Sequence, residues 1–238
     1  RYLHSVNPLF LLLNYSCVIN AAAGGHLPCL QYLRDLGCPQ LPGVAARAAE
    51  GGNLDCLVYA HEHEFPWGAD TCAGAAAGGH LACLQYAREH GCAWDVTTCH
   101  SAVIFGSLAC LEFAHTHGCP WDAYTCLIAA TNGKLACLKY AHEHGCPWDE
   151  SVTQAALTHF SCLAYALRNN CPHSPDLAYD AFRRGLNQNG FYILKHCPAL
   201  DNAICSYAAE HGRLDILEAC VQAGMPLHEE TCVVALAC

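Results

Sequence analysis

The sequence Gly-Cys-Pro-Trp-Asp stands at residues 118–122 and again at 145–149, and Gly-Cys-Ala-Trp-Asp at 91–95 is a close variant of it. Together with Trp67, the tryptophans of these phrases follow one another at intervals of 27 residues. A fixed short period is typical of stacked units of supersecondary structure rather than of a closed globular core. We therefore predict a single repeat array over residues 1–238, an architecture unlike that of most enzymes.

Composition and charge restrict the possible partners. The chain of 238 residues is 53% hydrophobic and 13% charged, which provides enough apolar material for a continuous core. It has no run of about 18 apolar residues, so we predict no transmembrane helix. The formal net charge is −10, whereas nucleic acids and anionic membrane surfaces attract basic patches, so we predict neither as a partner. Because the chain begins with Arg1 and stops inside a repeat at Cys238, we expect it to be a fragment of a longer protein.

One repeat unit begins at Asp122, whose carboxylate can accept from the free amides of a first helical turn. A first helix is predicted over 123–131 and ends before Gly133, and a second is predicted over 135–144. Gly145 then closes the second helix with a positive φ. The two to four residues between each Trp-Asp and the next first helix are too few for paired strands. The sequence thus predicts an all-α helix–turn–helix solenoid that lacks β-hairpins.

Packing between neighbouring units is expected to supply the stability, because helices this short are marginal in isolation. Ala129 and Ala130 are small enough to let the next unit approach closely. Leu135 and Leu138 share one face of the second helix. Trp148 is expected to fill the gap between adjacent units.

Alignment on the turn glycine and the leucine after it gives about seven or eight units. Units between 152 and 202 are degenerate. The segment 157–162 lacks the turn glycine. In the segment 185–198, where we take Gly190 as the retained landmark, the second helix is predicted to be about one turn shorter. We expect a local change of curvature in this region.

The repeated phrase resembles that of the ankyrin repeat. Gly79-His80-Leu81 is followed by Leu84, and Gly91 stands ten residues after Leu81. Ala129 and Ala130 match the alanine pair that the family places before its turn. Ankyrin units have about 33 residues, and the missing residues fall where the family places its β-hairpin tip. The short units are similar to ankyrin-type arrays of large DNA viruses and protists. The resemblance implies a scaffold that binds proteins.

The 20 cysteines fall at equivalent positions of successive units. We expect reduced thiols that act as small core hydrophobes, which places the chain in a reducing, cytoplasmic compartment. Equivalent positions in neighbouring units are about 10 Å apart, too far for a disulfide. Pairing of Cys72 with Cys83 inside one unit is conceivable. The cysteines of the best-conserved copies are Cys72, Cys99 and Cys126 in first helices, Cys83, Cys110 and Cys137 in second helices, and Cys92, Cys119 and Cys146 after them.

Histidines near these cysteines suggest an alternative function. The segments 142–146 and 115–119 each contain two histidines and a cysteine, but the CxxC pairs of structural zinc sites are missing. A histidine before the capping glycine also suits the negative end of a helix. We predict no metal, no cofactor and no catalytic residues, hence no enzyme. A metal-binding or redox-responsive array is the first alternative to a scaffold, and a structural component of a larger assembly is the second.

One row of first-helix positions differs from unit to unit, because the architecture does not fix its residues. Tyr124 and Ile128, beside Ile104 and Phe105, are expected to form an exposed apolar patch at the centre of a partner surface. A solvated face whose residues vary freely is the other interpretation. The residues predicted to bind a protein partner are Arg47, Glu50, Thr97, Ser101, Ile104, Phe105, Tyr124, Ile128, Thr131, Tyr207 and Glu210.

Overall fold

The computed structural model describes residues 8–197 and 203–225, with side chains from Tyr15 onward. These residues form pairs of α-helices joined by short turns, and no strand occurs among them. The predicted all-α helix–turn–helix solenoid fold is confirmed. The first helices are α1 (Pro8–Ala23), α3 (Val44–Glu50), α5 (Ala69–Gly78), α7 (Val96–Phe105), α9 (Ala123–Thr131), α11 (Glu150–Ala155), α13 (Leu177–Arg183) and α15 (Ala203–Glu210). The second helices are α2 (Leu27–Asp35), α4 (Leu54–Glu62), α6 (Leu81–Glu89), α8 (Leu108–Thr116), α10 (Leu135–Glu143), α12 (Phe160–Arg168), α14 (Asn187–His196) and α16 (Leu214–Gln222).

The chain divides into two compact parts, residues 1–125 and residues 126–238, with the division inside α9. The single array over the whole length stays a prediction. Among the described residues, none of the helices combines the length and the apolar character needed to cross a membrane.

Local capping sets the ends of the helices. The carboxylate of Asp95 accepts from the amide of Thr97 at 2.9 Å, and that of Asp149 accepts from the amide of Ser151 at the same distance. Gly145 follows α10 with a φ of 82°, as the sequence predicts. The predicted first helix over 123–131 matches α9, and α10 ends one residue before the predicted boundary at 144.

Small residues bring consecutive first helices together in the N-terminal part. Ala75, Ala76 and Ala102 are fully buried where α3, α5 and α7 pack on one another. A Cβ atom at Gly74 would lie 2.7 Å from the carbonyl oxygen of Ala46 in the preceding first helix. Leucines of the second helices complete the core, and Leu84 is fully buried. The interface between these consecutive first helices therefore leaves room mainly for small side chains.

Two degenerate units of the C-terminal part differ in how they turn. After α11, the 3-10 turn Ala156–Thr158 replaces the missing turn glycine. In the next unit, the predicted shortening of the second helix is wrong, because α14 spans ten residues. Gly185, with a φ of 76°, makes the turn. Gly190 lies inside α14, where a Cβ atom would approach the ring of Phe182 to 2.6 Å, so this glycine serves close packing.

Candidate functional site

The residues of the predicted partner row lie on first helices, and we call the surface formed by those of the N-terminal part the first-helix face. Ser101 and Tyr207 are half-buried. Ile128 is buried. The remaining members are exposed, namely Arg47, Glu50, Thr97, Ile104, Phe105, Tyr124, Thr131 and Glu210.

Ile128 corrects the sequence-based prediction, because only 6% of it is exposed. The equivalent position one repeat earlier is Ser101, which is half-buried, and two repeats earlier it is Gly74. Gly74 lies against the carbonyl of Ala46 in the preceding first helix. Ile128 therefore does not contribute to an exposed patch.

Three large apolar side chains of the N-terminal part are exposed on the first-helix face. The exposed fractions are 40% for Ile104, 61% for Phe105 and 55% for Tyr124. Tyr124 lies in the first turn of α9 at the position equivalent to Thr97, and Ile104 lies seven residues after Thr97 in α7. At about 1.5 Å per residue, the two ends of the patch are about 10 Å apart along the helix direction. The patch is thus elongated, with one anchor at each end.

The end of the patch at Tyr124 is linked to a carboxylate through a histidine. The rings of His100 and Tyr124 meet edge to face, with centroids 5.4 Å apart. Nε2 of His100 lies 3.0 Å from Oδ1 of Asp122. The side chain of Asp122 is 53% exposed. An aromatic ring and an acidic group are therefore presented together at this point.

Stacking of the repeats does not require Phe105. The equivalent residues of the three preceding units are Gly24, Gly51 and Gly78. A Cβ atom at Gly51 or Gly78 would lie 2.3 Å or 2.2 Å from a carbonyl oxygen of the preceding unit. Phenylalanine thus occupies a position that favours glycine, and most of its side chain remains in solvent.

The second helices carry aromatic stacks that the sequence-based analysis missed. The ring of His61 stacks on Trp67 at 4.1 Å, and that of His142 stacks on Trp148 at 3.7 Å. Nδ1 of His142 lies 2.9 Å from the hydroxyl of Tyr165 in the next unit, so each stack links two units. The recurrence of histidine six residues before tryptophan, at 61, 115 and 142, is the sequence signal that indicates them.

Histidines at the ends of second helices act as caps. Nδ1 of His90, His117 and His144 lies 2.8–2.9 Å from the backbone carbonyl four residues earlier. The interpretation of these histidines as helix C-terminal residues is confirmed. Within the described ranges, no three His, Cys, Asp or Glu side chains are grouped to hold a metal ion. The histidines that suggested a metal site have carbonyls and aromatic rings as partners.

The described cysteines form no disulfides with one another, and most of them are buried. Cys72 hydrogen-bonds with Cys92, which raises the pKa of Cys72, so the conceivable pairing of Cys72 with Cys83 is not the contact that forms. Cys92 can reach Cys72 because the segment that follows α6 runs back to the start of α5. There Sγ of Cys92 donates to the carbonyl of Gly68 at 3.2 Å. Burial raises the pKa of Cys83 to about 11. Such thiols remain protonated and unreactive near neutral pH.

We predict a corresponding pattern of thiol reactivity. Iodoacetamide should modify the exposed Cys17 and Cys29 of the native protein at neutral pH, because the reagent reaches exposed thiols directly. Cys83 and Cys110, whose pKa values burial raises to about 11, should react only after unfolding. Mass spectrometry of peptides from native and urea-treated samples, taken at successive times, measures how far each cysteine has been modified. Fast native labelling of Cys83 would contradict the buried arrangement.

Comparisons with known proteins support the fold. No protein-family model and no curated protein sequence matches the chain. By structure, 105 chains match it. One is the ankyrin repeat domain of human ASB11, with a TM-score of 0.54 and 21% sequence identity, covering 65% of this chain and 83% of that one. At this identity the likeness shows the fold, which is of the ankyrin-repeat type.

Proposed function

We propose that the chain is a protein–protein interaction scaffold whose partner binds the first-helix face. The observation that carries the proposal is Phe105, which is 61% exposed at a position that is glycine in three preceding units. A large apolar side chain that neither stacking nor solvation favours is typical of a binding anchor. Repeat arrays commonly use extended surfaces of this kind for binding.

The row beyond the patch supports the same interpretation. Arg47, Glu50, Thr97 and Thr131 are exposed at equivalent or neighbouring positions, and they differ in charge and size from unit to unit. Such residues supply a specific rim around an apolar centre. The net charge of −10 favours a protein partner over nucleic acid or an anionic membrane. The many protonated thiols fit a reducing, cytoplasmic compartment, and the likeness to viral and protist arrays stays a prediction.

Site-specific photo-crosslinking tests the proposal. A benzophenone amino acid placed at Phe105 keeps an aromatic group there and should crosslink a protein partner in extracts of the source cells. The matched control places the same group at Tyr32 of α2, which is 64% exposed on a second helix. Partner bands obtained from position 105 and not from position 32 are the expected result. Bands obtained only from position 32 would place binding on the second helices instead.

A further inference from the structure

Negative charge is concentrated in the N-terminal part of the chain. Residues 8–125 contain ten Asp and Glu side chains against three arginines. The described residues of the C-terminal part, 126–197 and 203–225, contain eight acidic side chains against seven Lys and Arg. The exposed apolar patch of Ile104, Phe105 and Tyr124 therefore lies in the strongly acidic part.

Carboxylates of this part occur on the first helices and at their N-terminal ends. Asp70 lies in the first turn of α5, Asp95 caps α7, and Asp122 precedes α9, so each marks the same edge of its unit. Glu50 lies at the end of α3 and forms an ion pair with Arg47. The two other described arginines of this part, at 34 and 88, belong to second helices. On the first-helix face, carboxylates thus outnumber basic groups.

We infer that this face binds a basic protein segment that carries two large apolar side chains offset by about 10 Å along the direction of the first helices, an inference that rests on the proposed scaffold function. The apolar side chains would contact Tyr124 at one end and Ile104 with Phe105 at the other. Lysine and arginine between and beside them would face the carboxylates, because complementary charge speeds encounter and selects the partner. A helix that lies along the first helices presents residues i and i+7 on one face with this axial offset.

Synthetic peptides test the inference by fluorescence anisotropy with the full chain. The probe is a Lys- and Arg-rich amphipathic helix with leucines at i and i+7. One control replaces its basic residues with glutamate, and another moves the second leucine to i+4. We expect the basic probe to bind at least about tenfold more tightly than either control, with affinity that falls as salt rises.

A second test of the inference removes negative charges from the protein itself. The variant D70N/D95N/D122N retains helix capping, because asparagine caps as well as aspartate. It should weaken binding of the basic probe about tenfold and reduce its salt dependence. The matched control E62Q/E89Q/E112Q neutralises three exposed carboxylates of second helices and should change binding less than about twofold.

Four outcomes would overturn the inference. The glutamate peptide could bind as tightly as the basic one, the three aspartates could prove irrelevant, or no peptide could bind. Sedimentation showing a dimer that Phe105→Gly dissociates would also overturn it, because a second copy of the chain would then occupy the face. Crosslinking from position 105 is independent of the peptides, so it separates a failure of the charge argument from a failure of the scaffold proposal.

Discussion

The variant I104A/F105G/Y124T is expected to lose partner binding while the protein remains folded. The replacements are the residues that stand at equivalent positions of neighbouring units, Ala77, Gly78 and Thr97. Large apolar anchors at the centre of an interface each contribute about 2 kcal/mol or more. Because such contributions are not additive, we expect a loss of affinity of at least about 100-fold rather than the full sum.

Stability should be retained in this variant, because each replaced side chain is at least 40% exposed. The melting temperature followed by circular dichroism should be unchanged or higher, while calorimetric titration with the crosslinked partner should show no binding. Tyr32→Ala serves as the control, since it removes an aromatic side chain of similar exposure from a second helix. Unfolding of the triple variant would show that the patch belongs to the core. Binding at wild-type affinity would shift the surface to the second helices, at Lys139 and Glu143.

Gly190→Ala is expected to destabilise the C-terminal part by about 1–3 kcal/mol. The added Cβ atom would lie 2.6 Å from the ring of Phe182, which is itself only 2% exposed. Alanine is favoured over glycine inside a helix by about 1 kcal/mol, so propensity alone predicts the opposite sign. A net loss of stability would therefore report the collision rather than a change in helix propensity.

A second substitution separates the collision from other effects of the change. Phe182→Leu in the Gly190→Ala background should recover part of the lost stability, because the smaller side chain makes room for the methyl group. Gln188→Ala, at an exposed position of the same helix, should change the free energy of unfolding by less than about 0.5 kcal/mol. Urea denaturation measures all four proteins. A Gly190→Ala protein more stable than the wild type would show that the methyl group fits beside Phe182 and that this packing does not require glycine.

The exposure of the residues in the predicted partner row could be predicted only in part from the sequence. Tyr124, Ile104 and Phe105 could be selected because they break the repeat pattern, and the structure leaves them exposed. Ile128 was selected on the same helical row and is buried. A helical wheel assigns a residue to a face, but the distance to the neighbouring helix decides whether that face is open. The elongated form of the patch likewise depends on how successive first helices align.

The period, the pairing of helices, most of the helix ends and the absence of hairpins from the described residues follow from the sequence. These features depend on contacts between residues that are close in the chain, such as the cap of Asp149 on the amide of Ser151. The order of neighbouring residues is therefore enough to predict them. The packing of Gly190 on Phe182 and the contact of Cys72 with Cys92, in contrast, are visible only in the folded chain. Those contacts join residues from different helices or from the segments between them. Their distances follow from how all the intervening side chains pack, which no local pattern of residues specifies.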